Sequence, residues 1–187
     1  MDDIVKQAMA KWPNVPACYG WLGLDGRGQW WLRDAEAQAR GTFCSGADGA
    51  KGSRVRHDKL ADFIARNYLA EPDGRWFFQN GPQRVYVELQ LAPWVWRLRC
   101  TADALELRSH TGELLERSAV RAVLLDEEGQ LYLHTDRGLG SVHTQDMLDA
   151  ATALDLALLP QPELVERQGL AARFGFVRSP QGLAQSG

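Results

Sequence analysis

At 187 residues, 45% apolar and 24% charged, the chain has room for one full domain or two small lobes and enough apolar content to build a core. The formal net charge of −3, with acidic and basic residues interspersed, excludes a protein whose affinity rests on a broad basic surface. Three cysteines, Cys18, Cys44 and Cys100, are odd in number and far apart, which excludes a CxxC metal pair and argues for reduced thiols.

The acidic start Met1-Asp2-Asp3 lacks the basic, apolar pattern of a signal peptide, so the expected location is the cytoplasm. Residues 2–11 place Ile4, Val5, Ala8 and Met9 on one helical face before Pro13. Residues 19–24 and 30–32 flank Asp25-Gly26-Arg27-Gly28, a hairpin. Trp30 and Trp31 are neighbours on a strand and must face opposite sides of the sheet. Between Gly41 and Gly52, four glycines and few apolar residues predict a mobile loop. A helix is expected over 57–69, with Leu60, Phe63, Ile64 and Tyr68 on one face and Asp58 at its start.

Asn80-Gly81-Pro82 predicts a turn, and the boundary between two lobes, 1–80 and 81–178, is expected there. Val85, Val87, Leu89 and Leu91 alternate with Tyr86, Glu88 and Gln90, the pattern of a strand with one buried face. Trp94, Trp96, Leu98 and Cys100 lie on one strand face, Arg97 and Arg99 on the other, and Leu105 with Leu107 forms a partner strand. Residues 120–125 and 131–134 make another hairpin, and Gly138-Leu139-Gly140 reads as a bend. Thr144 is expected to cap a last helix whose stripe is Met147, Leu148, Ala151, Leu154 and Leu158, and 179–187 to be a frayed tail. No apolar run is long enough to span a bilayer.

Asp25-Gly26, Asp73-Gly74 and Asp126 to Gly129 each precede three large apolar residues, which raises a duplicated hairpin unit as one reading and ordinary hairpin chemistry as the other. Motifs for chemistry are weak. In Gly46 to Ser53 the Lys51-Gly52 order is the reverse of a phosphate-binding loop, and His57, His110, His134 and His143 have no metal-ligand spacing. No metal or cofactor is expected. Cys44 stands on a loop, yet no nucleophile elbow or cysteine signature surrounds it. Seven tryptophans suggest either a packed core or an aromatic-lined site, for which the candidates are Trp31, Arg54, Arg56, Trp76, Trp94 and Trp96.

The series Asp25-Gly26 through Trp31, Arg56 to Leu69, Glu71 to Phe78 and Val85 to Trp94 resembles a proteobacterial domain-of-unknown-function family. The resemblance implies a two-lobed α+β fold with repeated hairpin motifs and roles in ligand binding or signalling, and carries no catalytic residue. The expected fold is therefore α+β: a small N-terminal hairpin and helix lobe packed on a larger antiparallel sheet closed by a C-terminal helix. The first functional reading is a non-enzymatic binding or regulatory module for an unidentified small molecule or protein, with its ligand near the junction of the lobes. The alternative is a small hydrolase acting through Cys44 or a His/Asp pair, and the third is a single-stranded nucleic-acid binder stacking bases on Trp94 and Trp96 beside Arg97 and Arg99. No membrane partner is expected, nucleic acid is disfavoured by charge, and the oligomeric state is left open.

Overall fold

The computed structural model describes residues 1–102 and 104–184 and is a mixed α+β fold. Contacts divide the chain into two compact units. One holds residues 1–25, 29–90 and the chain from 176 onward; the other holds 26–28 and 91–175. Asn80-Gly81-Pro82 is not where the chain passes between them: it joins two strands of the first sheet.

The first unit runs α1 (Asp3–Lys11), β1 (Cys18–Leu24), β2 (Trp30–Leu32), α2 (Ala35–Arg40), β3 (Ser53–Arg54), α3 (Asp58–Arg66), β4 (Tyr68–Ala70), β5 (Trp76–Asn80) and β6 (Gln83–Leu89). Its sheet has the order β3-β2-β1-β6-β5-β4, antiparallel except for the central pair β1 and β6. The second unit runs β7 (Trp94–Cys100), β8 (Leu105–Ser109), β9 (Leu114–Leu115), β10 (Val120–Asp126), β11 (Leu131–Thr135), β12 (Gly138–Val142), α4 (Met147–Asp155), β13 (Glu163–Val165) and α5 (Leu170–Phe174). Its sheet has the order β13-β10-β11-β12-β7-β8-β9, with β7 parallel to β12 and β13 parallel to β10. Both sheets are thus mixed, where the sequence suggested a purely antiparallel one. A last helix, α6 (Pro180–Ala184), packs on β1 and β6 of the first unit. Residues 179–184 are therefore part of that unit rather than a tail, and 185–187 lie outside the described residues.

Four tight hairpins share one geometry. The backbone N–H of Asp25, Glu71, Ser109 and Asp126 each donates to the carbonyl four residues on, and the residue before that carbonyl is a left-handed glycine: Gly28, Gly74, Gly112 and Gly129. A side chain with a Cβ resists that backbone conformation, which is why each loop carries glycine there. The structural counterpart of Asp25 and Asp126 is Glu71, two residues before the expected Asp73. Asp25 accepts from Gln29 N and Trp31 Nε1 as Asp126 accepts from Gln130 N and the Tyr132 hydroxyl, so carboxylate, turn and following strand are tied together in both.

Several elements depart from their sequence pattern. The helix expected to reach residue 69 ends at Arg66, and Tyr68 is a buried strand residue against Trp30, with ring centroids 5.1 Å apart. His57 is the N-cap of α3, and Asp58 supplies negative charge in its first turn. Gly138-Leu139-Gly140 is strand rather than bend. His143, not Thr144, caps the turn leading into α4, and α4 buries Ala150 and Ala153 while Leu148 is 80% exposed. On β6 both faces are covered, since Tyr86 and Glu88 are as buried as Val87 and Leu89.

The segment 41–52, expected to be mobile, is anchored. Phe43 and Ala50 are buried, and one side chain gathers the surrounding backbone. Arg33, 1% exposed, donates from Nε to the Ala50 carbonyl (2.8 Å) and from Nη1 to the Gly20 carbonyl (3.1 Å). It also donates from Nη2 to the carbonyls of Ala37 and Gly41, and from Nη1 to Gln181 Oε1 of α6 (3.4 Å). Burial lowers the pKa of this guanidinium and the nearby Glu88 raises it, but an arginine stays charged throughout. Arg33→Met keeps much of the stem and leaves these carbonyls buried without donors. Loss on the order of 3–5 kcal/mol is expected in urea unfolding, against under 1 kcal/mol for an exposed arginine such as Arg54→Met.

Candidate functional site

The first unit contains an apolar cleft of about 480 Å³ between α3 and the sheet. Leu60 and Ile64 form one wall; Leu22, Phe78 and Val85 form another; Trp21 and Leu32, each nearly half exposed, stand at the mouth. Trp21 lies within a break in register between β1 and β6 from Cys18 to Leu22, where Gly20 takes φ +78°. Such bulges re-aim a side chain at the cost of one ladder bond. Polar groups reach the cleft from Arg33, Asp34, Asn80 and Gln83. Clefts of this size, mostly apolar with a few convergent polar groups, are the usual form of a small-molecule site.

A smaller pocket of about 320 Å³ belongs to the same unit, lined by Thr42, Phe43, Cys44, Glu88, Leu89, Arg178 and Ser179. Cys44 donates to the Leu89 carbonyl (3.7 Å). Desolvation raises the Cys44 thiol pKa, Arg178 and Lys51 pull it down, and Glu88 adds to the rise; the net direction is upward. A nucleophilic thiolate needs the opposite shift. Glu88 is buried beneath the chain after residue 176, accepts from the Gln181 N–H (3.0 Å), and has its pKa raised by burial against the pull of Ser179, Gln181 and Arg33.

The residues singled out by sequence are distributed rather than gathered. Trp30 is buried and Trp31 lies on the other face of β2, donating its indole N–H to Asp25 (2.9 Å), as adjacent strand positions require. Arg54 is paired across the sheet with Trp31, and both Arg54 and Arg56 are exposed. Trp76 is half-buried against Tyr68, with centroids 4.8 Å apart. Trp94 and Trp96 belong to the second unit, stacked 5.8 Å apart and buried there. Arg97 is on the opposite face and bound to Asp146, so these tryptophans and arginines form no common stacking surface. The His/Asp pair that the fold brings together, His143 and Asp146, is structural: His143 accepts from the Gln145 N–H and Asp146 binds Arg97 and the Leu98 N–H. None of the six sequence candidates lines the apolar cleft. Its signal was present as Leu60 and Ile64 on the α3 stripe and Val85 on the alternating strand; Trp21 falls in the irregular pairing of β1. Among the described residues no cluster of histidine, cysteine and carboxylates is arranged to hold a metal ion, and no helix is long and apolar enough to cross a membrane.

Comparison with known proteins gives a family without an assigned activity. The family DUF2944, described as "Protein of unknown function (DUF2946)", matches residues 1–181. No curated protein matches the chain. Among solved structures, a DUF1285 family protein from Silicibacter pomeroyi DSS-3 is 13% identical with a TM-score of 0.47, over 73% of this chain and 71% of that one. A DUF1285 family protein from Shewanella baltica OS155 is 15% identical with a TM-score of 0.44, over 75% and 98%.

Glu88 gives this region a pH signature. Its folded pKa lies above the unfolded value near 4.5, so the folded state favours the protonated form, and that advantage is lost as pH rises through the folded pKa. Glu88→Gln, which keeps an acceptor for Gln181, should therefore gain stability relative to the parent as pH climbs from roughly 4 to 8. Urea unfolding at several pH values checks this; a constant difference across the range would contradict it.

Proposed function

The chain belongs to the DUF2944 family of proteins of unknown function, and we propose that it is a small-molecule-binding module whose site is the apolar cleft beside α3. The observation that carries this reading is the cleft's make-up: an apolar interior with Trp21 and Leu32 left half exposed at its entrance. Exposed side chains of that size in a concave setting are the form a ligand site takes. The matching occupant has an apolar ring or acyl body in the space between Leu60, Ile64 and Phe78, and a polar group at the rim near Asp34, Asn80 and Gln83. A regulatory role follows from this reading, since a ligand in the cleft presses directly on α3. The hydrolase alternative is weakened by the upward shift at Cys44. The nucleic-acid alternative is weakened by the burial of Trp94 and Trp96.

The shared plan of the two sheets supports the duplication reading as well. Reading β1 to β6 and β7 to β12 as two sets, each sheet has the order 3-2-1-6-5-4 with its first and sixth strands parallel.

The cleft is tested by titrating a panel of aromatic and short-chain acyl metabolites while following tryptophan emission and the melting temperature. A ligand of the cleft should shift the emission in the parent but not in Trp21→Phe. Leu60→Trp, which fills the interior, should weaken its binding by roughly tenfold or more, about 1.4 kcal/mol, while the protein still melts cooperatively. Compounds whose affinity is the same in the parent and in Leu60→Trp would place binding elsewhere.

A further inference from the structure

We propose that the smaller pocket beside Cys44 is a second, separate site, which binds a small oxyanion, a carboxylate or a phosphoryl group. The first argument is charge. Among the described residues, Arg33, Lys51 and Arg178 form no ion pair, whereas arginines elsewhere, such as Arg75, Arg97 and Arg167, sit on carboxylates. Lys51 Nζ donates to Gln90 Oε1 (2.9 Å), Arg178 Nη2 to the Gln90 carbonyl (2.7 Å), and Arg33 to backbone carbonyls and Gln181 Oε1. Each of these bonds is to a neutral oxygen. Of the three cations, Arg178 lines the pocket, together with one carboxylate, Glu88, which accepts from Gln181 N and Ser179; Arg33 and Lys51 stand outside the lining and act on Cys44 by charge alone.

The second argument is an unmet donor. Arg178 lines the pocket, and its Nε is buried without a hydrogen-bond partner. A buried guanidinium N–H without an acceptor is destabilising, and an anion oxygen in the pocket would supply the acceptor. The remaining walls suit such a ligand. Thr42 and Ser179 bring hydroxyls, and the Cys44 thiol, exposed at the pocket yet shifted upward by partial desolvation of its sulfur, stays neutral and does not repel a negative group. Lys51 is held over the rings of Trp31 (5.2 Å) and Phe43 (5.6 Å), contacts that fix the ammonium without neutralising it.

Cys44 is exposed and lines the pocket, so its reaction with iodoacetamide, a neutral reagent, reports occupancy. Cys18 and Cys100, both half-buried and outside the pocket, serve as internal references when alkylation is followed peptide by peptide by mass spectrometry. The probes are sodium acetate and inorganic phosphate, at ionic strength held constant with potassium chloride. Only the unoccupied form reacts, so the Cys44 rate should fall roughly tenfold when the anion stands about tenfold above its dissociation constant, with Cys18 and Cys100 unchanged. Protection by acetate alone assigns a carboxylate ligand, and protection by phosphate a phosphoryl group. Lys51→Gln and Arg178→Gln should each weaken the protection, and the lysine substitution, at a half-buried side chain, leaves the Gln90 carbonyl contact of Arg178 in place. The proposal is overturned if neither anion slows Cys44 in the parent protein, or if protection is undiminished in both variants.

Discussion

A charged guanidinium buried among backbone carbonyls is the constraint on which the first unit depends. Arg33 directly follows β2, and the groups it binds come from β1, α2, the segment after α2 and α6. A planar fork of fixed donors is suited to this, because it fixes the directions of several acceptors at once. The carbonyls of Gly41 and Ala50 would otherwise be backbone acceptors in a stretch with almost no regular structure, and unpaired buried carbonyls are rarely tolerated. With Arg33 in place, Phe43 and Ala50 pack inward, Cys44 lies beside Leu89, and Gln181 is drawn in from the far end of the chain. Two pockets of this unit border on that arrangement: Arg33 lines the apolar cleft, and its charge acts on Glu88 and Cys44 of the smaller one.

Much of the architecture was legible from local pattern. The hairpins at 19–32, 120–134 and the strand pair from Trp94 to Leu107 follow from alternation and glycine-bearing turns, because those are decided by residues within a few positions of one another. On β7 the buried Trp94, Trp96 and Leu98 and the exposed Arg97 and Arg99 fall where alternation puts them. Failures came where distant chain decides. β6 looked one-sided, yet Glu88 is covered by residues after 176, which no local pattern connects to it. The helix expected over 57–69 contained a strand residue, Tyr68, because an aromatic at helical spacing fits either period until its partner Trp30 is known. The 41–52 segment had the composition of a loop, and the residue that anchors it, Arg33, reads in sequence as a surface charge before the α2 cap Asp34.

The candidate sites were less legible than the fold. Counting tryptophans directed attention to Trp94 and Trp96, whose burial makes them core residues of the second unit. The tryptophan that stands at a cleft, Trp21, lies within the irregular pairing of β1 with β6 between Cys18 and Leu22, and such an irregularity leaves no reliable mark on an alternation pattern. Trp31 lies beneath Lys51 as the outward member of an adjacent pair, an orientation that alternation does give. The cationic excess near Cys44 is not a sequence feature at all. Arg33, Lys51 and Arg178 are spread over most of the chain, and only the return of the segment after residue 176 to the first unit puts them in one place.

Native-state hydrogen exchange on the unmodified protein tests most directly whether Arg33 couples these segments. The amides of Ala50 and Gly52 are bonded within the loop after α2, and that of Leu89 to the Arg178 carbonyl. If one buried guanidinium holds both segments to the sheet, these amides open together, with a common free energy that shows the same dependence on denaturant. If Ala50 and Gly52 exchange with almost no protection while Leu89 stays protected up to global unfolding, the loop is independent of the C-terminal segment, and the structural role assigned to Arg33 is wrong.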